Sequence, residues 1–179
     1  MTMRKKMTRL LLIAGSWSVL SSCIAQDQAM NLGIPISESD LQALDLVAPP
    51  DGTGFPEGSG TAQQGRAVFN TQCAACHAAD GTGTSGATVI VGGDMQSDEA
   101  PLRTVGSYWP HASTLFDYIR RAMPANAPKS LNDEEVYQVV AYVLYLNGIV
   151  DQDAVIDKAA LMAIEMPNAD GFIDVSQRQ

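Results

Sequence analysis

Apolar side chains recur at helical spacing in several segments of the chain and predict a small all-α fold. The clearest pattern follows Asn132, which forms a capping-box-like pair with Glu135 and so marks the start of a helix. Gly148 can end that helix, because glycine readily adopts the left-handed conformation of a C-terminal cap. One face of the helix carries an apolar stripe that can pack against a core, namely Val136, Val139, Val140, Val143, Leu144 and Leu146.

Four further segments are predicted to be helical. One leads into residues 73–77, and another runs from near Thr114 to the residue before Pro124, which cannot continue a helix. Two short helices are expected near 39–44 and 153–162. The order is therefore a first main helix, a long loop, a short helix, a loop that begins at a Met-Pro pair and a final packing helix.

Composition divides the chain into four parts. Residues 1–25 form an export signal, and 26–60 form an arm whose Gly and Pro content is typical of a linker. That arm could instead wrap the following domain or dock a partner. Residues 61–149 form the helical domain, which is small enough to have a limited core. Residues 150–179 form a C-terminal extension, so both arms are expected to be largely irregular.

The amino terminus has the features of a bacterial export signal. A basic stretch at 1–9 precedes an apolar run at 10–20 that is too short and too interrupted to span a membrane. Residues 20–23 resemble a lipobox, in which Cys23 would be acylated and become the first residue of the mature chain. A cut after Ala25 would instead remove Cys23. Both alternatives place the protein in the periplasm, and only the first adds a membrane anchor.

The charge of the chain argues against nucleic acid as a partner. The formal net charge is −9, and four of the 11 Lys and Arg residues lie in the first nine positions. No acidic residue precedes Asp27, so the chain without its signal keeps seven basic and 20 acidic side chains, a net charge of −13. Phosphate backbones require clustered Lys and Arg. A basic protein partner suits this chain better, since opposite charges steer encounter.

The most informative motif is the run Cys-Ala-Ala-Cys-His at residues 73–77. A C-x-x-C-H run is typical of covalent attachment of one haem c. Cys73 and Cys76 lie on one face of a helical turn, so both sulfurs can reach the two vinyl groups of a porphyrin. His77 follows directly and can bind the iron as the proximal ligand. A disulfide or a redox pair are alternatives, and zinc would need further ligands, of which His111 is the only remaining candidate among Cys and His outside the signal.

An electron-transfer haem usually keeps a second axial ligand, and methionine in that position raises the reduction potential. Sequence position favours Met123, because Pro124 stops the preceding helix and restrains the chain where the thioether must be held. Met166, Met95 and His111 are the alternatives. The ordinary role of any single methionine is to fill a core.

Three side chains are candidates for contacts with the edge of the haem. Trp109 could donate its indole N–H to a propionate, with core packing as the equal alternative. Arg120 and Arg121 are the only adjacent basic pair beyond the signal, and one of them is predicted to pair with a propionate. Phe69, one turn before the motif, is expected to face Tyr142 of the final helix.

Longer strings extend beyond the haem motif, at residues 50–54, 58–61, 65–77, 105–110 and 114–124. Together they resemble the cytochrome c subunit of bacterial sulfur-oxidation (Sox) sulfane dehydrogenase, over about residues 33–172. The resemblance implies a small class I cytochrome c-like domain around one covalent haem c. It also implies a molybdenum subunit of the sulfite dehydrogenase type as electron donor, another cytochrome c as acceptor, and a fixed set of haem-binding residues: Cys73, Cys76, His77 and Met123.

The chain departs from that family in the loop after the motif. Members often have a Gly-Pro pair there whose carbonyl orients the proximal histidine, whereas Ser85 to Thr88 contains no proline. A backbone carbonyl of Ala87 or Thr88 is therefore expected to accept a hydrogen bond from His77.

The sequence thus predicts a periplasmic carrier of single electrons, which is not an enzyme by itself but belongs to a molybdenum sulfite or sulfane dehydrogenase. Two alternatives remain open. The chain could be a tethered carrier that serves a terminal oxidase, or it could be an enzyme or sensor with an open haem iron.

Overall fold

The computed structural model describes residues 33–85, 88–173 and 175–176, and in this part of the chain the predicted all-α character is confirmed. The predicted signal and the lipobox residue Cys23 lie outside the described residues. The described residues from Ser37 onward form one compact structural unit. Residues 33–36, which precede it, form neither helix nor strand. The elements in chain order are α1 (Glu38–Leu44), β1 (Ser59–Gly60), α2 (Ala62–Gln72), α3 (Ala74–His77), α4 (Val105–Tyr108), α5 (Ala112–Ala122), α6 (Asp133–Leu146), β2 (Ile156–Asp157) and α7 (Lys158–Ala163).

Local capping signals set the ends of the helices. The predicted start of α6 is confirmed, because Asn132 accepts from the Glu135 amide at 2.9 Å and Glu135 accepts from the Asn132 amide at 2.9 Å. Gly148 follows with φ +68°, the left-handed conformation expected there. Reciprocal capping boxes also start α1 at Ser37 and α2 at Thr61. These ends therefore depend on short-range hydrogen bonds that the sequence makes visible.

The core is built where α2 crosses α6. A Cβ atom on Gly65 would lie 1.8 Å from the carbonyl oxygen of Gln138, so only glycine allows the two helices to approach this closely. One turn further along α2, the buried ring of Phe69 packs edge-to-face on Tyr142 with ring centroids 5.2 Å apart. The predicted pairing of Phe69 with Tyr142 is confirmed.

The arm before α2 wraps the helical domain. Phe55 is buried and its ring centroid lies 4.8 Å from that of Phe116, which in turn packs on Tyr137. Tyr137 donates its hydroxyl to the Pro56 carbonyl at 2.9 Å, and the Ala48 amide donates to Asp117 of α5. Ala48 and Phe55 of the arm are thus part of the core, which corresponds to the wrapping alternative rather than to a free linker.

The C-terminal extension differs from the predicted helix at 153–162. Asp157 accepts a hydrogen bond from the Ala160 amide at 2.8 Å and so caps a shorter helix, α7, that begins only at Lys158. Ile156 and Asp157 instead form β2, which pairs antiparallel with β1. A side-chain cap and a strand pairing over a long sequence separation override the helical pattern of this segment.

Among the described residues, none of the helices has both the length and the apolar character that a membrane crossing requires.

We expect Gly65→Ala to lower the free energy of unfolding by about 1–3 kcal/mol, because the added methyl group forces α2 away from the Gln138 backbone. Alanine normally favours a helix over glycine by about 1 kcal/mol, so a loss of stability would identify the close crossing as its cause. Denaturant unfolding followed by circular dichroism measures it. Arg66→Ala, an exposed neighbour on α2, is the control and should change stability by less than about 0.5 kcal/mol. A Gly65→Ala protein as stable as wild type would contradict this account of the crossing.

Candidate functional site

The C-x-x-C-H run forms α3, a single turn that continues from α2. The Cys73 amide donates to the Phe69 carbonyl at 2.8 Å, and the His77 amide donates to the Cys73 carbonyl at 2.9 Å. Cys73 and Cys76 are not linked to each other, so both thiols are available to form thioether bonds. Cys73 is partly buried and Cys76 is exposed. Burial, with a smaller effect from Cys76, raises the pKa of the Cys73 thiol to about 11.

The ring of His77 is oriented by one hydrogen bond. Its Nδ1 atom lies 3.0 Å from the carbonyl oxygen of Thr88. A carbonyl oxygen can only accept, so Nδ1 carries the proton and Nε2 keeps a free lone pair that can bind a metal. Thr88 is one of the two residues from which the sequence predicted this carbonyl, and the hydrogen bond forms without the proline of the resembled family.

The loop after α3 is held against the motif and against α6 by hydrogen bonds to backbone carbonyls. The Gly83 amide donates to the His77 carbonyl at 2.9 Å, and the Thr84 hydroxyl donates to the Cys76 carbonyl at 2.8 Å. Tyr142 of α6 donates its hydroxyl to the Ala79 carbonyl at 3.2 Å. At Gly81, where φ is +75°, a Cβ atom would meet the Val91 side chain at 2.4 Å. The loop that presents Thr88 to His77 is therefore restrained from both sides.

Asn147 is a site-supporting residue that the sequence analysis missed. Its side-chain amide donates to the carbonyls of Ile90 and Val143 at 3.2 and 2.8 Å, and its Oδ1 atom accepts from the Gly92 amide at 3.2 Å. These bonds tie the loop after the motif to the end of α6. In the sequence, the only local sign of this role is that Asn147 is a polar residue at the end of an apolar helix, directly before Gly148.

Met123 follows α5 directly and its side chain is partly buried against the core. Its amide donates to the Ile119 carbonyl at 3.2 Å, and the peptide bond to the buried Pro124 is cis. Met166 is 3% exposed and packs in the core, the ordinary role of a methionine. Met95 lies partly buried in the loop before α4.

His111 is exposed, and its backbone forms an isolated β-bridge with Glu165. Trp109 is partly buried and packs edge-to-face on Tyr118 at 5.7 Å between ring centroids, which is the packing role considered for it.

The two arginines make protein contacts that the propionate hypothesis did not anticipate. Arg120 pairs with Asp133 at 3.1 Å, and its guanidinium also donates to two backbone carbonyls of the N-terminal arm. Arg121 pairs with Asp117 one turn earlier, at 2.9 Å from Nε. These contacts use part of each guanidinium group, and the pairing of one of the two arginines with a propionate stays a prediction.

These residues fit a covalently attached haem better than a bare metal ion. Within the described residues, no group of three or more His, Cys, Asp or Glu side chains could hold a metal ion, so zinc lacks its further ligands. Two unlinked thiols and an imidazole with a free Nε2 could instead form two thioether bonds to a haem and supply one ligand to its iron. A haem iron bound there would exchange single electrons between its ferric and ferrous states.

Comparisons with known proteins agree with this arrangement. The chain matches the protein family described as cytochrome c oxidase, cbb3-type, subunit III over residues 60–143, a range that contains α3 and Met123. A thiosulfate dehydrogenase of Allochromatium vinosum is 30% identical over 122 residues, which cover 65% of this chain but only 39% of that relative. The crystal structure of the sulfane dehydrogenase SoxCD from Paracoccus pantotrophus is similar with a TM-score of 0.76 and 36% identity, and the match covers 84% of this chain and 74% of that chain.

We expect haem to remain on the denatured protein in acidified acetone, because the thioether bonds to Cys73 and Cys76 survive unfolding. The double variant Cys73→Ala with Cys76→Ala should release all of its haem, and each single variant should keep one thioether bond. The measurement is haem absorbance in the protein fraction after extraction from cells that have haem-attachment machinery. His77→Ala is the matched control, since it removes an iron ligand but neither thiol. Haem that extracts freely from the wild type would contradict the assignment.

Proposed function

Because this chain belongs to the cytochrome c family and therefore carries covalently bound haem c, we propose that it transfers single electrons between periplasmic redox proteins of sulfur oxidation. The observation that carries the proposal is the His77 ring held by Thr88 directly beside two unlinked thiols. The similarity to sulfane dehydrogenase and to thiosulfate dehydrogenase supports sulfur chemistry as the source of the electrons.

We propose Cys73 and Cys76 as the attachment residues and His77 and Met123 as the axial ligands. Met123 is favoured because it follows α5 directly and precedes the buried Pro124, so the backbone on both sides of it is restrained. Met166 is occupied with core packing. Iron with both axial positions filled suits electron transfer, since no position is open to a substrate.

The proposed donor is a molybdenum subunit of a sulfite or sulfane dehydrogenase, and the proposed acceptor is a basic cytochrome c. The first follows from the family resemblance and from the similarity to SoxCD. The second follows from charge, because seven basic against 20 acidic side chains beyond the signal give a field that attracts a positively charged surface.

The relative named thiosulfate dehydrogenase supports a second candidate, in which the chain itself oxidises a sulfur compound. The chain corresponds to only 39% of the length of that relative. The two candidates differ in one property that can be measured. A catalytic haem must offer an open iron position, whereas a carrier keeps both axial ligands.

Met123→Ala should abolish the weak charge-transfer band at the red end of the ferric spectrum that an iron–thioether bond gives, and the ferrous form should then bind carbon monoxide. The wild type should keep the band and bind carbon monoxide poorly. Met166→Ala is the matched control and should lose stability by about 2–5 kcal/mol as a core truncation, with the band retained. Loss of the band in Met166→Ala alone would reverse the assignment, and fast carbon monoxide binding by the wild type would favour the catalytic candidate.

Electron transfer to a basic acceptor cytochrome should slow steeply with added salt, because the Debye length falls from about 30 Å at 0.01 M to about 10 Å at 0.1 M. Stopped-flow oxidation of the reduced protein measures this rate, with a small uncharged oxidant as control. Reduction by the molybdenum subunit should depend little on salt if the two form a stable complex. No reduction by any such subunit, together with fast exchange with a terminal oxidase, would leave the tethered-carrier alternative standing.

We also propose that the protein is exported to the periplasm and anchored there through an acylated Cys23. Metabolic labelling with palmitate should mark the wild type and fail for Cys23→Ser, which keeps the length and polarity of the signal. A mature amino terminus at Gln26 would show that the signal is cut after Ala25, in which case the protein is exported without a lipid.

A further inference from the structure

An ion pair joins the two ends of the Met-Pro loop, residues 123–132. The loop leaves α5 after Ala122 and enters α6 at Asp133. Arg120, in the last turn of α5, donates from Nε to Oδ1 of Asp133, the first residue of α6, at 3.1 Å. The pair therefore joins the two ends of the segment that begins with the proposed distal ligand.

The same guanidinium also attaches the loop ends to the N-terminal arm. Nη1 of Arg120 donates to the carbonyl oxygens of Leu46 and Gly54 at 3.2 and 3.1 Å. Only 12% of the Arg120 side chain is exposed, against 44% for Asp133. An exposed ion pair contributes little, but a nearly buried guanidinium with three acceptors in two separate segments is expensive to remove.

Arg121 is a natural comparison on the neighbouring position. Its side chain is 43% exposed and pairs with Asp117 within α5, so that its ion pair begins and ends on one helix. The Arg121–Asp117 ion pair therefore does not connect the two ends of the Met-Pro loop. The two adjacent arginines therefore have the same charge, and each pairs with an aspartate. They differ in that only the contacts of Arg120 join the two ends of the Met-Pro loop.

We propose that Arg120 is a positioning residue for the distal ligand, which keeps the thioether of Met123 at the iron by fixing both ends of the Met-Pro loop. The proposal rests on the proposed assignment of Met123 as that ligand. A ligand on a restrained loop loses little conformational freedom when it binds, whereas a loosened loop must be ordered again each time. Without Arg120 the thioether should therefore spend more time away from the iron.

Competition with imidazole measures that fraction directly. Imidazole can bind the ferric iron only when Met123 has left, so its apparent affinity rises in proportion to the population of the open state. Arg120→Met should raise the apparent imidazole affinity about tenfold, since a hydrogen-bonded charged group is lost. Asp133→Ala should raise the affinity by a smaller factor, because the two carbonyl contacts of Arg120 remain. Loss of the charge-transfer band on titration reports the binding.

Matched controls separate positioning from general stability. Arg121→Met and Glu134→Ala, neighbours of the two partners, should leave imidazole affinity unchanged. Leu161→Ala removes buried side-chain volume in α7, outside the Met-Pro loop and its ion pair, so it shows how much affinity changes through destabilisation alone. If Arg120→Met fails to retain haem, Asp133→Ala decides by the same titration.

Equal imidazole affinities for Arg120→Met and Arg121→Met would overturn the proposal, as would a shift no larger than that of Leu161→Ala at the same loss of stability. Failure of the underlying ligand assignment gives a different result. In that case Met123→Ala keeps the charge-transfer band, whatever the arginine variants do.

Discussion

The close crossing of α2 and α6 at Gly65 is the constraint on which the rest of the structure depends. With no side chain at Gly65, the α2 backbone can lie against the Gln138 carbonyl. This contact fixes the position of α2 along the axis of α6 and so determines which residues of the two helices face each other. Phe69 consequently meets Tyr142 one turn later. The next turn brings Cys73, so the position of the attachment motif is determined by the same helix contact that builds the core.

The attachment motif also depends on residues that are not proposed to touch the haem. Tyr142 contributes to the crossing with its ring and restrains the loop after α3 with its hydroxyl. Asn147, at the end of the same helix, holds residues 90–92 of that loop. Between these two attachments Thr88 presents its carbonyl to His77. The C-terminal half of α6 thus holds the loop that orients His77, which explains how a short helical turn with little core of its own is kept in place.

The proposed distal side is organised by a different set of contacts, in which the N-terminal arm takes part. Phe55 of the arm packs on Phe116 of α5, and Arg120 of the same helix binds two arm carbonyls. Both contacts restrain α5, at whose end Met123 lies. The arm therefore takes a structural role in a domain whose own core is small.

The sequence by itself determined the features whose signals are local. The capping pair that begins α6, the left-handed Gly148 after it and the C-x-x-C-H turn each depend on residues a few positions apart, and the family resemblance drew on the same short strings. The pairing of Phe69 with Tyr142 was also predictable, because two amphipathic helices must bury their apolar faces against each other. Only the tertiary structure decided that the arm is part of the core, that Ile156 and Asp157 form a strand, and that Arg120 and Asn147 bind distant backbone carbonyls. The partners in each of those contacts are separated by more than 50 residues, so no periodicity or spacing in the sequence relates them, and their hydrogen bonds exist only once the helices have packed.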